Sequence, residues 1–404
     1  MTAEQRFERE LPDLLADLYP VSAPDYRDDL VRQIAATRQR PAWAPPERWI
    51  PVNVLVRIRP VRALPWRTIG VVALLLIALA AVAIIAGSRP RQLPAPFGPA
   101  DNGQLVVSEG GDVFLIDSGT GKKTLAIGGA TWDVEPIFSR DGTRIAFFRE
   151  TNGVRGLWLA DGRGVILREL STAGLVAVSQ IEWSPDGASI LVTSLVGAKA
   201  APAIVPTDGS AAHIVALDMP AESPIWLPNG EILFRGVQST GFGLFAIRPD
   251  GTVPRTVVPA KGTQEFDALF YAPSPDGSAI AYQWRETSAA KQRIYVVPTA
   301  GGTPRGITSV ESVGPIWSPD GTWIAFWSVD GTYVVRADGT APERRLMPMT
   351  GAKRWTPDGG RLLFFGEGAS DQLLLNPIDG SRQTAPWSAV RDSFPDWQRL
   401  GPKP

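Results

Sequence analysis

The sequence repeats itself, and the length of the repeat restricts the fold. Trp183-Ser184-Pro185-Asp186-Gly187, Trp317-Ser318-Pro319-Asp320-Gly321 and Trp355-Thr356-Pro357-Asp358-Gly359 are close copies of one pentapeptide, and looser copies centre on Asp141-Gly142, Asn229-Gly230 and Asp276-Gly277. From Gly142 to Gly359 the steps between copies are 45, 43, 47, 44 and 38 residues. A period in the low forties, made of short apolar runs separated by turns, specifies four-stranded blades set around an axis.

Each copy reads as a hairpin. Ser-Pro-Asp-Gly suits a type I turn, because Pro presets the dihedral at its second position and Gly accepts the positive φ that leads back into a strand. Trp317 then ends one strand and Ile324-Ala325-Phe326 forms the next. A third strand follows at Tyr333-Val334-Val335, with counterparts at Leu157-Trp158-Leu159, Leu244 to Ile247, Ile294 to Val297 and Leu373 to Leu375. A second turn, as at Asp250-Gly251 or Asp338-Gly339, leads to a weaker fourth.

The ends of the repeat region set the blade number. Gln104 to Val107, Val113 to Ile116 and Thr124 to Ile127 read as strands two to four of a blade without a first strand, and Phe394-Pro395-Asp396-Trp397 repeats the Pro-x-Trp pattern of Pro315 to Trp317. Six internal units opening near Pro136, Ile181, Pro224, Leu269, Pro315 and Lys353, plus one blade shared between the ends, predict an all-β, seven-bladed propeller. Sharing a blade also removes the unpaired edges of an open array. A six-bladed ring is the alternative if the first partial unit is only a cap. The unit near Leu269 is irregular, with Pro273 where others carry an aromatic.

A different kind of sequence precedes the repeats. Residues 68 to 87 hold no charge and eleven Ile, Val and Leu, enough for a membrane-crossing helix. Those eleven contribute roughly −3 to −7 kcal/mol to insertion. Arg57, Arg59, Arg62 and Arg67 precede the segment and only Arg89 and Arg91 follow it closely, so the positive-inside rule puts the N-terminus in the cytoplasm and the repeats outside. The expected plan is a cytoplasmic, helical and partly disordered region at 1–67, a single-pass transmembrane helix at 68–87, a Pro-rich stalk at 88–102 and the propeller at 103–400. Within 1–67, Phe7, Leu11, Leu14, Leu15 and Leu18 recur at helical spacing, and Ser22-Ala23-Pro24-Asp25 opens a second helix. Two narrow apolar stripes suit either a tether or the docking of a cytoplasmic protein.

With these residues in view, Trp-Ser-Pro-Asp-Gly followed by Ile-Ala-Phe resembles the WD40-like repeat of TolB-type bacterial β-propellers, over about residues 104 to 400. The resemblance implies a ring used as a platform for protein or peptide contacts. TolB-like proteins are typically soluble in the periplasm with their own N-terminal domain, whereas this chain carries a predicted span. The propeller halves of prolyl oligopeptidases share the repeat, but no α/β-hydrolase domain is expected after residue 400. The order of short helices, one span and an outer domain looks like that of membrane-bound anti-sigma regulators, without their His/Cys zinc pattern.

Composition removes several chemistries. A formal charge of −1 gives no argument for nucleic acid, and no Cys with a single His leaves out disulfides, thiolate chemistry and the usual zinc sites. His213 falls in an expected fourth strand with no Gly-x-Ser-x-Gly elbow, so it is read as a strand residue and not a catalytic one. Asp186, Asp320 and Asp358 stand in turns that favour Asp for backbone bonding, without an EF-hand spacing, and are read as turn residues instead of calcium ligands. Gly119-Thr120-Gly121-Lys122-Lys123 fails the phosphate-loop spacing and is read as a hairpin turn. Trp132, Trp183, Trp226, Trp317, Trp355 and Trp397 could form a stacking set for sugars, but most share one place in the repeat and are read as packing between blades.

No catalytic, cofactor or metal residue is therefore assigned. The leading expectation is a non-catalytic, membrane-anchored propeller that binds a protein, peptide or other ligand outside the cytoplasm. The alternatives are a transmembrane signalling regulator, with residues 1–67 holding a cytoplasmic protein such as a sigma factor, and a propeller hydrolase acting on lactones or glycosides.

Overall fold

The computed structural model describes residues 95–251, 253–261, 270–285, 290–348, 352–365, 371–388 and 395–402. The expected helices of 1–67, the span at 68–87 and the greater part of the stalk lie outside them. Among the described residues no helix is long and apolar enough to cross a membrane.

Seven four-stranded antiparallel sheets make the ring. Blade 1 has the order β28 (Asp396–Leu400), β1 (Asp101–Glu109), β2 (Asp112–Ile116), β3 (Lys123–Ile127). Blade 2 is β4 (Trp132–Phe138), β5 (Arg144–Thr151), β6 (Val154–Asp161), β7 (Ile166–Leu170), and blade 3 is β8 (Ser179–Trp183), β9 (Ser189–Val196), β10 (Lys199–Pro206), β11 (His213–Ile214). Blade 4 is β12 (Ala221–Trp226), β13 (Ile232–Gln238), β14 (Gly241–Ile247), β15 (Arg255–Lys261), and blade 5 is β16 (Tyr271–Pro273), β17 (Ala279–Trp284), β18 (Arg293–Pro298), β19 (Arg305–Gly306). Blade 6 is β20 (Val313–Trp317), β21 (Trp323–Ser328), β22 (Gly331–Arg336), β23 (Arg344–Met347), and blade 7 is β24 (Ala352–Trp355), β25 (Leu362–Phe365), β26 (Asp371–Leu375), β27 (Arg382–Ser388).

The seven-bladed expectation is met. The shared blade has the expected strands, with Leu105 opposite Trp397 and Val106 opposite Asp396. The six-bladed alternative falls because β1 to β3 form a complete sheet with β28.

The repeated turn explains its own composition. In Ser184-Pro185-Asp186-Gly187 the Gly187 N–H donates to the Ser184 carbonyl at 3.0 Å. The Ser184 hydroxyl and the Ala188 N–H donate to one Asp186 oxygen at 2.7 and 2.9 Å, and Ser189 N–H donates back to the Ser184 hydroxyl at 3.0 Å. The same net closes the turns at Ser274-Asp276, Ser318-Asp320 and Thr356-Asp358. These bonds hold the Asp186 carboxyl below its usual range, through the Ser184 hydroxyl first and the Ala188 N–H second.

Packing between blades supplies the core. Seven buried apolar clusters occupy the seven interfaces, such as Phe148, Leu157 and Leu159 of blade 2 against Trp183, Ile190 and Val192 of blade 3. Both faces of each blade are covered, so its central strands are apolar on successive residues and do not alternate. The repeat Trp carries a polar pin as well. Indole N–H groups of Trp183, Trp317 and Trp355 donate to the carbonyls of Ile137, Ala272 and Ile316 in the preceding blade, at 3.2, 2.9 and 3.1 Å.

A second set of links, on the outer strands, was not anticipated. Arg255 donates to the Thr299 carbonyl at 2.6 Å, Arg305 to the Asp338 and Ala337 carbonyls at 2.6 and 3.0 Å, and Arg344 to the Ile378 carbonyl at 2.8 Å. Arg168 reaches the Asp208 carbonyl likewise. Each guanidinium near the start of a fourth strand clamps the next blade's turn between its third and fourth strands.

Two outcomes follow from closure and from the turns. Ending the chain after Ser388 removes β28 and the buried Trp397, which lowers stability by at least about 3 kcal/mol and broadens the melting transition; an unchanged calorimetric trace refutes the ring. Asp186 has its folded value below the ordinary 3.8, so its contribution is complete above that pH and is lost as pH falls through the lower folded value. Asp186→Asn keeps an accepting oxygen but removes the titration. Its Tm should therefore fall less steeply than the wild type's between about pH 4 and pH 2.

Candidate functional site at the channel mouth

One residue from each innermost strand, the one before the repeat Trp or its substitute, lies around the axis. These are Ile137, Glu182, Ile225, Ala272, Ile316, Arg354 and Asp396, and all seven line one cavity of about 420 Å³. It lies at the end of the channel where first strands turn into second strands, so the residues just past the Trp position, Arg140 and Arg399 among them, line it too.

The wall has two halves. Blades 4 to 6 present Ile225, Tyr271, Ala272 and Ile316, whereas blades 7, 1, 2 and 3 present Arg354, Asp396, Arg399, Arg140 and Glu182. The charged half is internally paired. Asp396, buried, accepts the Phe138 N–H at 2.8 Å and the Arg354 guanidinium. Arg140 pairs with Glu182 and donates through Nε to the Trp183 carbonyl at 3.2 Å.

Confinement alters two of these groups. Burial pushes the Glu182 carboxyl up, the guanidiniums of Arg140 and Arg354 pull it back, and Asp396 adds to the rise. Burial and the neighbouring Arg140 bring Arg399 down to about 10, against the opposing pull of Asp396, so it is still a cation at neutral pH. Three buried N–H groups around the cavity have no acceptor: Trp226 Nε1, Trp397 Nε1 and Arg399 Nε. All three are enclosed by the blades, so they mark imperfect packing beside the cavity.

The chain itself crosses this mouth before entering β1. Phe97 and Gly98 line the cavity, the Arg140 guanidinium lies 4.2 Å from the Phe97 ring centroid, and Arg399 Nη2 donates to the carbonyls of Ala95 and Gly98 at 2.9 and 2.8 Å. The Ala100 N–H donates to the Pro357 carbonyl at 2.9 Å.

The residues singled out in the sequence are placed as follows. Trp183, Trp226, Trp355 and Trp397 are buried between blades, and Trp317 is half-buried. Trp132 departs from the set. It begins β4, away from the repeat position, and is 52% exposed. His213 is exposed at the start of the outer strand β11, opposite Ile204. Gly119 to Lys123 closes the β2–β3 hairpin, with the Asp117 N–H donating to the Lys122 carbonyl at 3.0 Å.

The charged residues of the mouth were missed by sequence reasoning. The signal was present: aligning the residue before each repeat Trp gives Ile or Ala in four blades and Glu182, Arg354 and Asp396 in the other three.

The class defined by this architecture is the seven-bladed β-propeller. No protein-family model matches the chain, and no curated protein matches it. Solved structures do. An oligogalacturonate lyase in complex with manganese aligns with a TM-score of 0.53 and 14% identity, covering 70% of this chain and 85% of that one. A puromycin hydrolase S511A mutant complexed with PGG aligns with a TM-score of 0.52 and 14% identity, covering 77% of this chain but 55% of that one. TolB from Acinetobacter baumannii aligns with a TM-score of 0.44 and 16% identity, covering 75% and 81%. At such identities the common element is the fold.

Asp396 joins three blades at this mouth. Asp396→Ala leaves the Phe138 N–H and Arg354 without their acceptor, so a loss of about 2–4 kcal/mol is expected in denaturant unfolding. A loss below about 0.5 kcal/mol would show that its bonds are incidental.

Proposed function

We propose that this protein is a non-catalytic binding ring, anchored to the cell membrane by one helix at 68–87, with its N-terminus cytoplasmic and its propeller outside. The ring takes a protein or peptide partner at the channel mouth. The observation that carries the reading is the two-sided wall of the cavity: an apolar half, with Ile225, Ala272 and Ile316, beside a charged half, with Arg140, Glu182, Arg354, Asp396 and Arg399, suits a segment that brings both apolar side chains and carbonyl oxygens. A volume of about 420 Å³ is in the range of ligand pockets.

Several features favour binding over turnover. The mouth carboxylates are engaged by Arg140, Arg354 and a backbone N–H, and neither is free to act as a base. Among the described residues no group of three or more His, Asp and Glu side chains is placed to hold a metal ion. Propellers also serve a manganese-bound lyase and a hydrolase, so the fold alone decides nothing here. Anchoring rests on the charge-free stretch at 68–87 and on the arginines before it.

Site-specific photocrosslinking in cells making the full chain tests this reading. A benzophenone side chain at Ile225, inside the mouth, should give adducts of discrete mass, whereas one at Val253, an exposed turn residue, should give none of the same mass. No adduct at Ile225, or identical adducts at both positions, would overturn it.

A further inference from the structure

We propose that residues 95–100 are a resident intramolecular ligand of the channel mouth, and that the mouth selects a bent segment carrying an aromatic residue followed by glycine. This rests on the reading of the mouth as a binding site and adds what the site accepts and how access to it is controlled.

The segment Ala95-Pro96-Phe97-Gly98-Pro99-Ala100 has the attributes of a bound peptide. Its two prolines restrict the free chain and lower the entropy cost of docking. Gly98 takes φ +87°, and this bend lets the carbonyls of Ala95 and Gly98 reach the same Arg399 nitrogen. A Cβ at Gly98 would meet nothing within 4 Å, so glycine is required there by backbone conformation and not by space. Recognition is therefore by shape and by carbonyl positions, with Phe97 as the one large side chain, capped by Arg140.

The attachment is also separable from the ring. The sheet ladder starts at Asp101, so apart from the Ala100 N–H bond to the Pro357 carbonyl at its C-terminal end no backbone pairing holds residues 95–100. Ala95, Pro96 and Pro99 are exposed and Phe97 is half-buried. What the segment covers is the pair of cations Arg140 and Arg399, the first under the Phe97 ring and the second at the carbonyls of Ala95 and Gly98; burial first and the neighbouring Arg140 second lower the Arg399 value. A competing segment must present a ring to one guanidinium and carbonyl oxygens to the other. While the strap is docked, its tether gives it an effective concentration on the order of millimolar, and a peptide of like sequence binds with an affinity reduced by the docked fraction.

The test uses the full chain in detergent micelles and a labelled synthetic peptide with the sequence of residues 94–101. Phe97→Ala should bind the peptide at least about tenfold more tightly than the wild type. Gly98→Ala, which strains the bend without touching the ring, should move binding in the same direction. Arg399→Ala in the Phe97→Ala background should lose binding, and a peptide with Ala in place of its Phe should bind none of the variants. The Phe97→Ala and Gly98→Ala proteins should keep the wild-type melting transition, because the blades are intact. Equal peptide affinity for wild type and both strap variants, or equal binding of the Phe-less peptide, would overturn the assignment. Peptide binding to Phe97→Ala without any adduct from Ile225 in cells would leave the strap assignment standing and overturn the partner reading.

Discussion

The ladder between β28 and β1 is the constraint on which the ring depends. It brings together residues almost 300 positions apart, Leu105 with Trp397, and closing a loop of that length costs about 5 kcal/mol in chain entropy. One strand pairing supplies only part of that. Trp397, buried in the cluster with Leu363, Trp387 and Leu105, contributes about 2–3 kcal/mol more. The rest comes from neighbours, because Asp396 reaches sideways to the Phe138 N–H of blade 2 and to Arg354 of blade 7. The closing strand is thus fastened to both flanking blades, and the residue that fastens it also lines the mouth.

That double use ties the site to the fold. In a ring of similar interfaces, each blade can be stabilised by the same few devices: a Trp pinned to the preceding carbonyl, an Asp-centred turn, an Arg clamped to the following turn. The devices fail at particular places. Trp226 and Trp397 have no acceptor for their indole N–H, and blade 5 carries Pro273 where the others carry an aromatic. Charged residues replace Ile and Ala at the channel position in blades 7, 1 and 3, with Arg140 of blade 2 completing the same side of the mouth. Departures from a repeat that cost stability without improving packing are where function is expected.

Much of the ring was legible along the chain because its determinants are local. The turn chemistry of Ser-Pro-Asp-Gly, the apolar runs and the spacing all act within about forty residues, and the Pro-x-Trp echo at Pro395 to Trp397 exposed the shared blade. The start of β1 was less legible. Asp101-Asn102-Gly103 has the composition of a turn, yet it is strand. Gly103 is there because a Cβ would stand 2.8 Å from the Gln398 side chain and carbonyl, at a bulge where β28 passes close by. The mouth was legible only in part, because its residues come from seven strands and their convergence is a property of the closed ring. Trp132 illustrates the reverse error: as a residue type it belongs with the repeat tryptophans, and as a position it does not.

The electrostatics of the mouth account for the contacts that residues 95–98 make there. Three guanidiniums, those of Arg140, Arg354 and Arg399, face two carboxylates in a confined space. Each carboxylate is already matched to one cation, so Arg399 is the surplus charge, partly buried and next to Arg140. A buried cation without an acceptor is costly, and water in an open mouth would supply only a partial remedy. The carbonyls of Ala95 and Gly98 meet that demand without adding a formal charge, which keeps the contact weaker than an ion pair and therefore exchangeable. An acidic residue in the strap would have satisfied Arg399 more strongly, at the expense of releasing it. The choice of neutral oxygen acceptors on a proline-rich segment fits a contact built to be replaced by another chain with the same backbone geometry.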